Sequence, residues 1–381
     1  MYLVKEDFPS SKEYIYMNTA AISLKPIQVI KAVTSFEESY EISGTANFSD
    51  NFEDQVLEEA RSKVSNLINC RIDDVAIVTN TSEGMNFAAH AIKMSPGSNV
   101  VSTDLEFPTV TYPWLRIAKG EKLDVRFALN RDGVVAIEDL EKLVDDKTKV
   151  IALSHVEYSS GFRFDLKEVA DLAHKHGALL VVDAIQSLGV IPFDVKREDV
   201  DVLISAAYKW LLGPFGAGFL YMRDEIYHDV EPIFAGWRSK ENHEVFEPLK
   251  LSFAKTARKF EYGGMPYSAI YGFSRALKYI LDLGVEEINN HVTDITQELM
   301  DGLKDLGAKF FTPFDRHRRA GIVTAKFDGL DCDTLVNELK KERVVISKRF
   351  GALRFSPHIY NTQGDVERVL HIIKEIMKRS R

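Results

Sequence analysis

Short apolar runs alternate with amphipathic stretches over the first 284 residues. VAIVT (75–79), NVVSTD (99–104), KVIALSHV (149–156), ALLVVDA (178–184) and DVLISAA (201–207) read as buried strands. Between them lie segments with helical spacing, TSEGMNFAAHAIK (81–93) and DLKEVADLAHKHG (165–177) among them. The second opens on Asp165 as N-cap and stops at Gly177. Such alternation requires crossover connections, hence an α/β fold with a mostly parallel sheet and helices on both faces. AGFLYMR (217–223) follows the strand before it after only a short Gly/Pro loop. A parallel crossover needs a dozen or more residues, so this run should be antiparallel if the two pair directly.

The pattern changes after about residue 284. VEEINNHVTDITQELMDGL predicts a long helix, and the strand-like runs GIVTAKF, RVVISKR and ALRFSPH follow. The chain ends on DVERVLHIIKEIMK, where Val366, Val369, Ile373 and Ile376 share one helical face. The expected organisation is a large domain over residues 15–284 and a smaller α+β domain built from 1–14 and 285–381.

Composition narrows the function classes. The 381 residues carry a formal net charge of −9 without a basic stripe, which argues against a nucleic-acid partner. The two cysteines, Cys70 and Cys332, form no C-x-x-C pair, so no metal or redox framework is expected. No apolar run of about 18 residues is available for a membrane span. The opening MYLVKEDFPSSKEY shows no long apolar h-region, so no secretion signal and a cytoplasmic location are expected.

Three groups at strand ends carry candidate chemistry, because ligands of open α/β sheets gather at the carboxyl ends of strands. Asp183 closes ALLVVD: it is either a partner for a protonated ring nitrogen or the cap of a helix over AIQSLG. In NTSEG (80–84), Thr81, Ser82 and the first free backbone N–H groups offer a phosphate cradle or an ordinary helix cap. Lys209 lies in SAAYKWLLGP. A buried lysine loses its charge readily and then attacks carbonyls, whereas a surface lysine snorkels to water. One cofactor asks for all three groups at once: pyridoxal 5′-phosphate (PLP) needs a phosphate cradle, a carboxylate on its ring nitrogen and a lysine on its aldehyde.

The block VVDAIQSLGVIPFDV…DVLISAAYKWLLGPFGAGFLY carries a further signal. With it the chain, from IYMNTAAISLKP to LRFSPHIYNT, resembles the class V aminotransferases. These form the branch of fold-type I PLP enzymes that includes cysteine desulfurases and isopenicillin N epimerase-like proteins. The resemblance implies a three-layer PLP transferase fold and a homodimer with shared active sites. It implies Lys209 as the Schiff-base lysine, Asp183 on the pyridine nitrogen and Gln186 at the ring oxygen. Thr81, Ser82 and Tyr208 fall at cofactor positions around the phosphate, Glu83 at a further cofactor position, Phe107 over the ring and Tyr158 near it. Gly264, in FEYGGMPY, falls where relatives reach a neighbouring subunit's phosphate. Arg354 and Asn18 fall at substrate positions, Arg354 as the carboxylate holder.

Several residues depart from the desulfurase pattern. Phe107 replaces a stacking histidine, and VVISKRFGALRFSPH lacks the loop cysteine. Ala206, Gly264 and Tyr158 stand where desulfurases have serine, threonine and asparagine. The activity implied is therefore a PLP-dependent aminotransferase acting on an amino acid. Epimerase or racemase chemistry and a desulfurase-like or selenocysteine lyase-like C–S lyase are the alternatives.

Overall fold

The computed structural model describes residues 4–46 and 50–379. In chain order the strands are β1 (Ile15–Tyr16), β2 (Val75–Val78), β3 (Asn99–Thr103), β4 (Asp124–Ala128), β5 (Thr148–Ser154), β6 (Leu179–Asp183), β7 (Val202–Ala206), β8 (Gly218–Met222), β9 (Lys309–Phe310), β10 (Val323–Lys326), β11 (Val344–Val345), β12 (Ser347–Arg349) and β13 (Ala352–Phe355). The helices are α1 (Ile27–Ser43), α2 (Asp50–Ile68), α3 (Thr81–Ala91), α4 (Pro108–Glu121), α5 (Ile137–Glu141), α6 (Leu166–Lys175), α7 (Asp224–Tyr227), α8 (Tyr267–Leu283), α9 (Val285–Asp305), α10 (Cys332–Lys341) and α11 (Gln363–Arg379).

A seven-stranded sheet has the order β2-β8-β7-β6-β5-β3-β4. Its central strands read as unbroken apolar runs because helices cover both faces. β8 pairs antiparallel with both β7 and β2, as its short connection requires, while the pairs among β3 to β7 are parallel. It follows that β2 points the same way as β3 to β7. The carboxyl ends of six strands thus share one edge of the sheet. α3 lies so close to β7 that a Cβ on Gly84 would stand 2.7 Å from Ile204 Cγ2. Only glycine lets this helix start at that edge.

A second sheet, β12-β13-β10-β9, is antiparallel. It shares a separate apolar core with α9, α10 and α11, to which the predicted stripe contributes Val366, Val369, Ile373 and Ile376. RVVISKR does not form one strand. β11 pairs parallel with β1, and β12 pairs antiparallel with β13. Through β1 and the bridge between Asn18 and Ser356, the chain just before α1 is joined to the C-terminal region. Among the described residues, no helix is long and apolar enough to cross a membrane, and no group of three or more His, Cys, Asp or Glu gathers to hold a metal ion.

Candidate active site

Lys209 follows β7 on a turn fixed from several sides. Leu212 N–H donates to the Lys209 carbonyl at 3.0 Å, and Gly213 N–H to the Ala207 carbonyl at 2.8 Å. Leu212 closes this turn with φ 56°, uncommon for a residue other than glycine. Trp210 is fully buried; its indole N–H donates to Gln186 Oε1 at 2.8 Å, and its carbonyl accepts from His358 Nε2 at 3.1 Å. With its neighbour anchored inward, Lys209 points into the protein and is 9% exposed. Its Nζ stands 5.9 Å from the ring centre of Phe107 and 5.8 Å from that of Tyr208. Burial pulls its pKa down to about 8 against the opposing pull of Asp183, and the charges of Arg354 and Arg349 act with burial. The amine is therefore not a snorkelling surface group.

Asp183 ends β6 one strand away and is buried. No helix follows it. Its Oδ1 accepts from Ile185 N–H at 2.9 Å in a turn, so the helix-cap reading fails. Burial pushes its carboxyl up to about 6, opposed by that hydrogen bond and by the Lys209 charge. Gln186 spends Oε1 on Trp210 and one amide N–H on the Ala20 carbonyl at 3.1 Å. One amide N–H remains for a ligand.

The phosphate cradle differs in detail from expectation. Asn80, not Thr81 or Ser82, caps α3, accepting from Glu83 N–H at 3.0 Å. Thr81 is thereby freed: its Oγ1 is buried with no partner among the described residues. Ser82 Oγ meets Thr109 Oγ1 at 2.8 Å, which brings the first turn of α4 to the first turn of α3. Glu83 turns away. Its Oε2 accepts from Thr79 N–H at 2.6 Å and Thr79 Oγ1 at 2.8 Å, and its Oε1 from Tyr262 at 3.2 Å. Its side chain thus supports the cradle from outside the pocket. Tyr208 lies flat against Phe215, ring centres 4.4 Å apart.

Phe107 precedes α4 at the end of β3, and the Tyr158 ring meets its ring edge-on at 5.2 Å. Beneath them Glu106 accepts from Ser154 N–H at 2.7 Å and Ser154 Oγ at 2.6 Å. Burial pushes its carboxyl up to about 7, and burial followed by Glu106 raises its neighbour Glu157. Arg354, on β13, is 1% exposed. Its Nε donates to Ser347 Oγ at 3.1 Å and its Nη1 to the Tyr158 carbonyl at 2.7 Å, while Nη2 is buried with no partner among the described residues. Burial, then the charge of Arg349, holds its pKa down to about 9, so it remains a cation at neutral pH. Asn18 Oδ1 is likewise buried and unpartnered.

One pocket is lined by Thr81, Ser82, Phe107, Tyr158, Asp183, Gln186, Tyr208 and Lys209. Sequence reasoning had missed Asn80, Thr109, Ser154 and Ile185, which complete its wall. Thr109 carried a signal, a hydroxyl in the first turn after Phe-Pro; Ser154 became visible only with the β5–β6 register that sets it opposite Asp183. Gly264 lies outside this pocket, exposed, with nothing within 4 Å of where its Cβ would stand.

The residues fit pyridoxal phosphate: an orphaned hydroxyl and free helix N–H groups for phosphate, a buried carboxylate for the ring nitrogen and a desolvated amine for the aldehyde. This constellation, on the carboxyl edge of a three-layer α/β fold, defines a PLP-dependent enzyme of fold-type I. The chain belongs to the aminotransferase class-V family, whose model matches residues 15–369. A probable cysteine desulfurase of Pyrococcus abyssi is 28% identical, covering 99% of this chain and 98% of its own. The uncharacterized aminotransferase YcbU of Bacillus subtilis is 30% identical over 98% and 96% of the two chains. The apo cysteine desulfurase of Thermococcus onnurineus NA1 superposes with a TM-score of 0.91 at 26% identity, covering 99% of each chain.

Proposed function

We propose that this PLP-dependent class V enzyme is an aminotransferase whose donor is an α-amino acid. The observation that carries the donor class is the unpartnered, buried Nη2 of the Arg354 guanidinium, whose Nε and Nη1 are already held by Ser347 and Tyr158. A carboxylate there completes a charge-assisted fork. Bound pyridoxal phosphate supplies an electron sink for the pair left when a bond at the substrate α-carbon breaks. The chain's own residues do the rest. Thr81 and Ser82 grip the phosphate with the first N–H groups of α3, and Asp183 keeps the ring nitrogen protonated. Arg354 fixes the substrate carboxylate and thereby the α-carbon, with Asn18 as a second polar contact. Lys209, neutral when it acts, takes the α-proton onto Nζ and holds it there for the next proton transfer. Phe107, half-exposed at the mouth of the site, can neither give nor take a proton, which leaves proton transfer to Lys209 and favours transamination. Strict dependence of turnover on a 2-oxo acid acceptor tests this reading; turnover that ignores the acceptor contradicts it.

The relatives named cysteine desulfurase favour a second reading, C–S bond cleavage. Neither cysteine of this chain supports sulfur relay. Cys332 begins α10 and its Sγ–H donates to the Gly351 carbonyl at 2.8 Å; Cys70 is half-buried after α2, its thiol pushed up to about 12 by burial and Asp74. An assay for alanine and sulfide from cysteine should therefore give slow turnover with no persulfide on either cysteine. Fast turnover would select the second reading.

Arg354→Lys keeps the charge and loses the planar fork. We expect KM for amino-acid donors to rise roughly 10- to 100-fold, the weight of a charged hydrogen bond, with a smaller change in kcat. Amines lacking the carboxylate should be unaffected; an equal effect, or none, on amino-acid donors and on those amines would remove Arg354 from the substrate site.

The exposed Gly264 segment supports a homodimer with shared sites. Sedimentation at assay concentration should give twice the chain mass; a fully active monomer contradicts this.

A further inference from the structure

A second arginine, Arg349, stands in the cavity beside this site, close enough for its charge to act on Lys209 and Arg354. In the β12–β13 hairpin, Ser347 pairs with Arg354 and Arg349 pairs with Ala352. Alternation along a strand then puts Ser347, Arg349 and Arg354 on one face of the small sheet. The Nε of Arg354 on Ser347 Oγ bears this out. Thr324, opposite Arg354 on β10, belongs to that face too, and its Oγ1 donates to the Ser159 carbonyl at 2.7 Å. The face is thereby clamped on the Tyr158–Ser160 segment that lines the cofactor pocket. The hairpin is tight: Phe350 and Gly351 both take positive φ, 47° and 72°. It leaves Phe350 with its ring 6.2 Å from that of Tyr158.

Between this hairpin and the large sheet opens a cavity of about 370 Å³, lined by Leu105, Phe311, Phe350, Ser160, Asp104 and Arg349 among others. It adjoins the cofactor pocket, with Tyr158 on one and Ser159 on the other. Arg349 spends Nη1 on the Lys348 carbonyl at 2.7 Å and has no ion pair among the described residues. The other charged group in the cavity wall, Asp104, is turned to Asn130, accepting from its backbone N–H at 2.8 Å and from its amide at 3.0 Å. Arg349 also adds to the positive field at Lys209 and Arg354. Two cations on one face, one with a buried free N–H and neither ion-paired, are suited to two anions.

Building on the proposed amino-acid donor, we infer that Arg349 determines specificity by holding a second carboxylate, on the substrate side chain, in this cavity. Arg354 holds the α-carboxylate, and the apolar walls of Leu105, Phe311 and Phe350 pack the methylene groups between the two. The substrate class is a dicarboxylic amino acid.

The test titrates the yellow holoenzyme with glutamate and glutamine, and with aspartate and asparagine, reading the absorption change and steady-state KM and kcat. The parent should prefer each acid over its amide by about tenfold or more, as one charge-assisted contact allows. Arg349→Gln should lower kcat/KM for the acid at least about tenfold more than for the amide, mainly through KM. Arg349→Lys should recover part of the preference. A parent indifferent to the side-chain charge, or a variant that loses acid and amide equally, overturns the assignment. Failure of the amino-acid donor reading itself looks different: alanine and cysteine, tested alongside, would also leave the absorption unchanged in parent and variant, whereas a response to them alone would overturn only the dicarboxylic assignment.

Discussion

Lys209→Ala should lower turnover of any amino donor by roughly 10⁴-fold or more, since the proposed mechanism asks this one group to supply both the nucleophilic amine and the proton relay. The fold should survive. Lys209 Nζ approaches two aromatic rings, so truncation strands no hydrogen-bond partner, although Asp183 loses its nearest cation. The pH dependence of cofactor capture by the parent apo-protein gives a second reading of the same group. Only the neutral amine attacks an aldehyde, and its pKa is drawn down to about 8 by burial. The capture rate should climb as pH passes from 6 to 9 and level off above. A Lys209→Ala chain with parental turnover, or a capture rate flat across that range, would remove the lysine from the chemistry.

Asp183→Asn should cost roughly 10²- to 10⁴-fold in kcat, the weight of a positioned charge at the reacting system. In the proposed mechanism the buried carboxylate keeps the ring nitrogen protonated, whereas an amide at the same place would hold no charge. Stability should move the other way. The folded-state pKa of Asp183 is raised to about 6 by burial, above its unfolded value. The folded state therefore binds a proton that the unfolded state releases. Above about pH 6 the ionised, desolvated carboxylate destabilises the fold, and this penalty fades as pH falls toward the unfolded pKa. The apo-protein carrying Asp183→Asn should melt at the same or a higher temperature at pH 7 while its activity collapses. A variant that loses stability and activity together would make Asp183 a structural residue.

The sequence showed the sheet's centre better than its margins. β5, β6 and β7 are buried along nearly all their length and stood out as apolar runs. β4 did not: Asp124 and Arg126 face solvent or half-face it on an edge strand, so no apolar run marks it. RVVISKR looked like one strand because periodicity along a segment carries no information about its partners, and those change at Ile346. Lys209 and Asp183 were legible because each sits where a buried strand ends. The cap of α3 was not, since Asn80, Thr81 and Ser82 all suit an N-cap and only the fold selects Asn80 and leaves Thr81 free. Likewise, nothing local to Arg354 discloses that Tyr158, 196 positions earlier, orients its fork.

The central claim is that the buried amine of Lys209 binds the cofactor. Borohydride reduction of the yellow protein followed by peptide mapping tests it most directly. A single reduced adduct on the peptide containing Lys209 is the predicted result; an adduct on any other lysine, or none after pyridoxal phosphate is added, would contradict it.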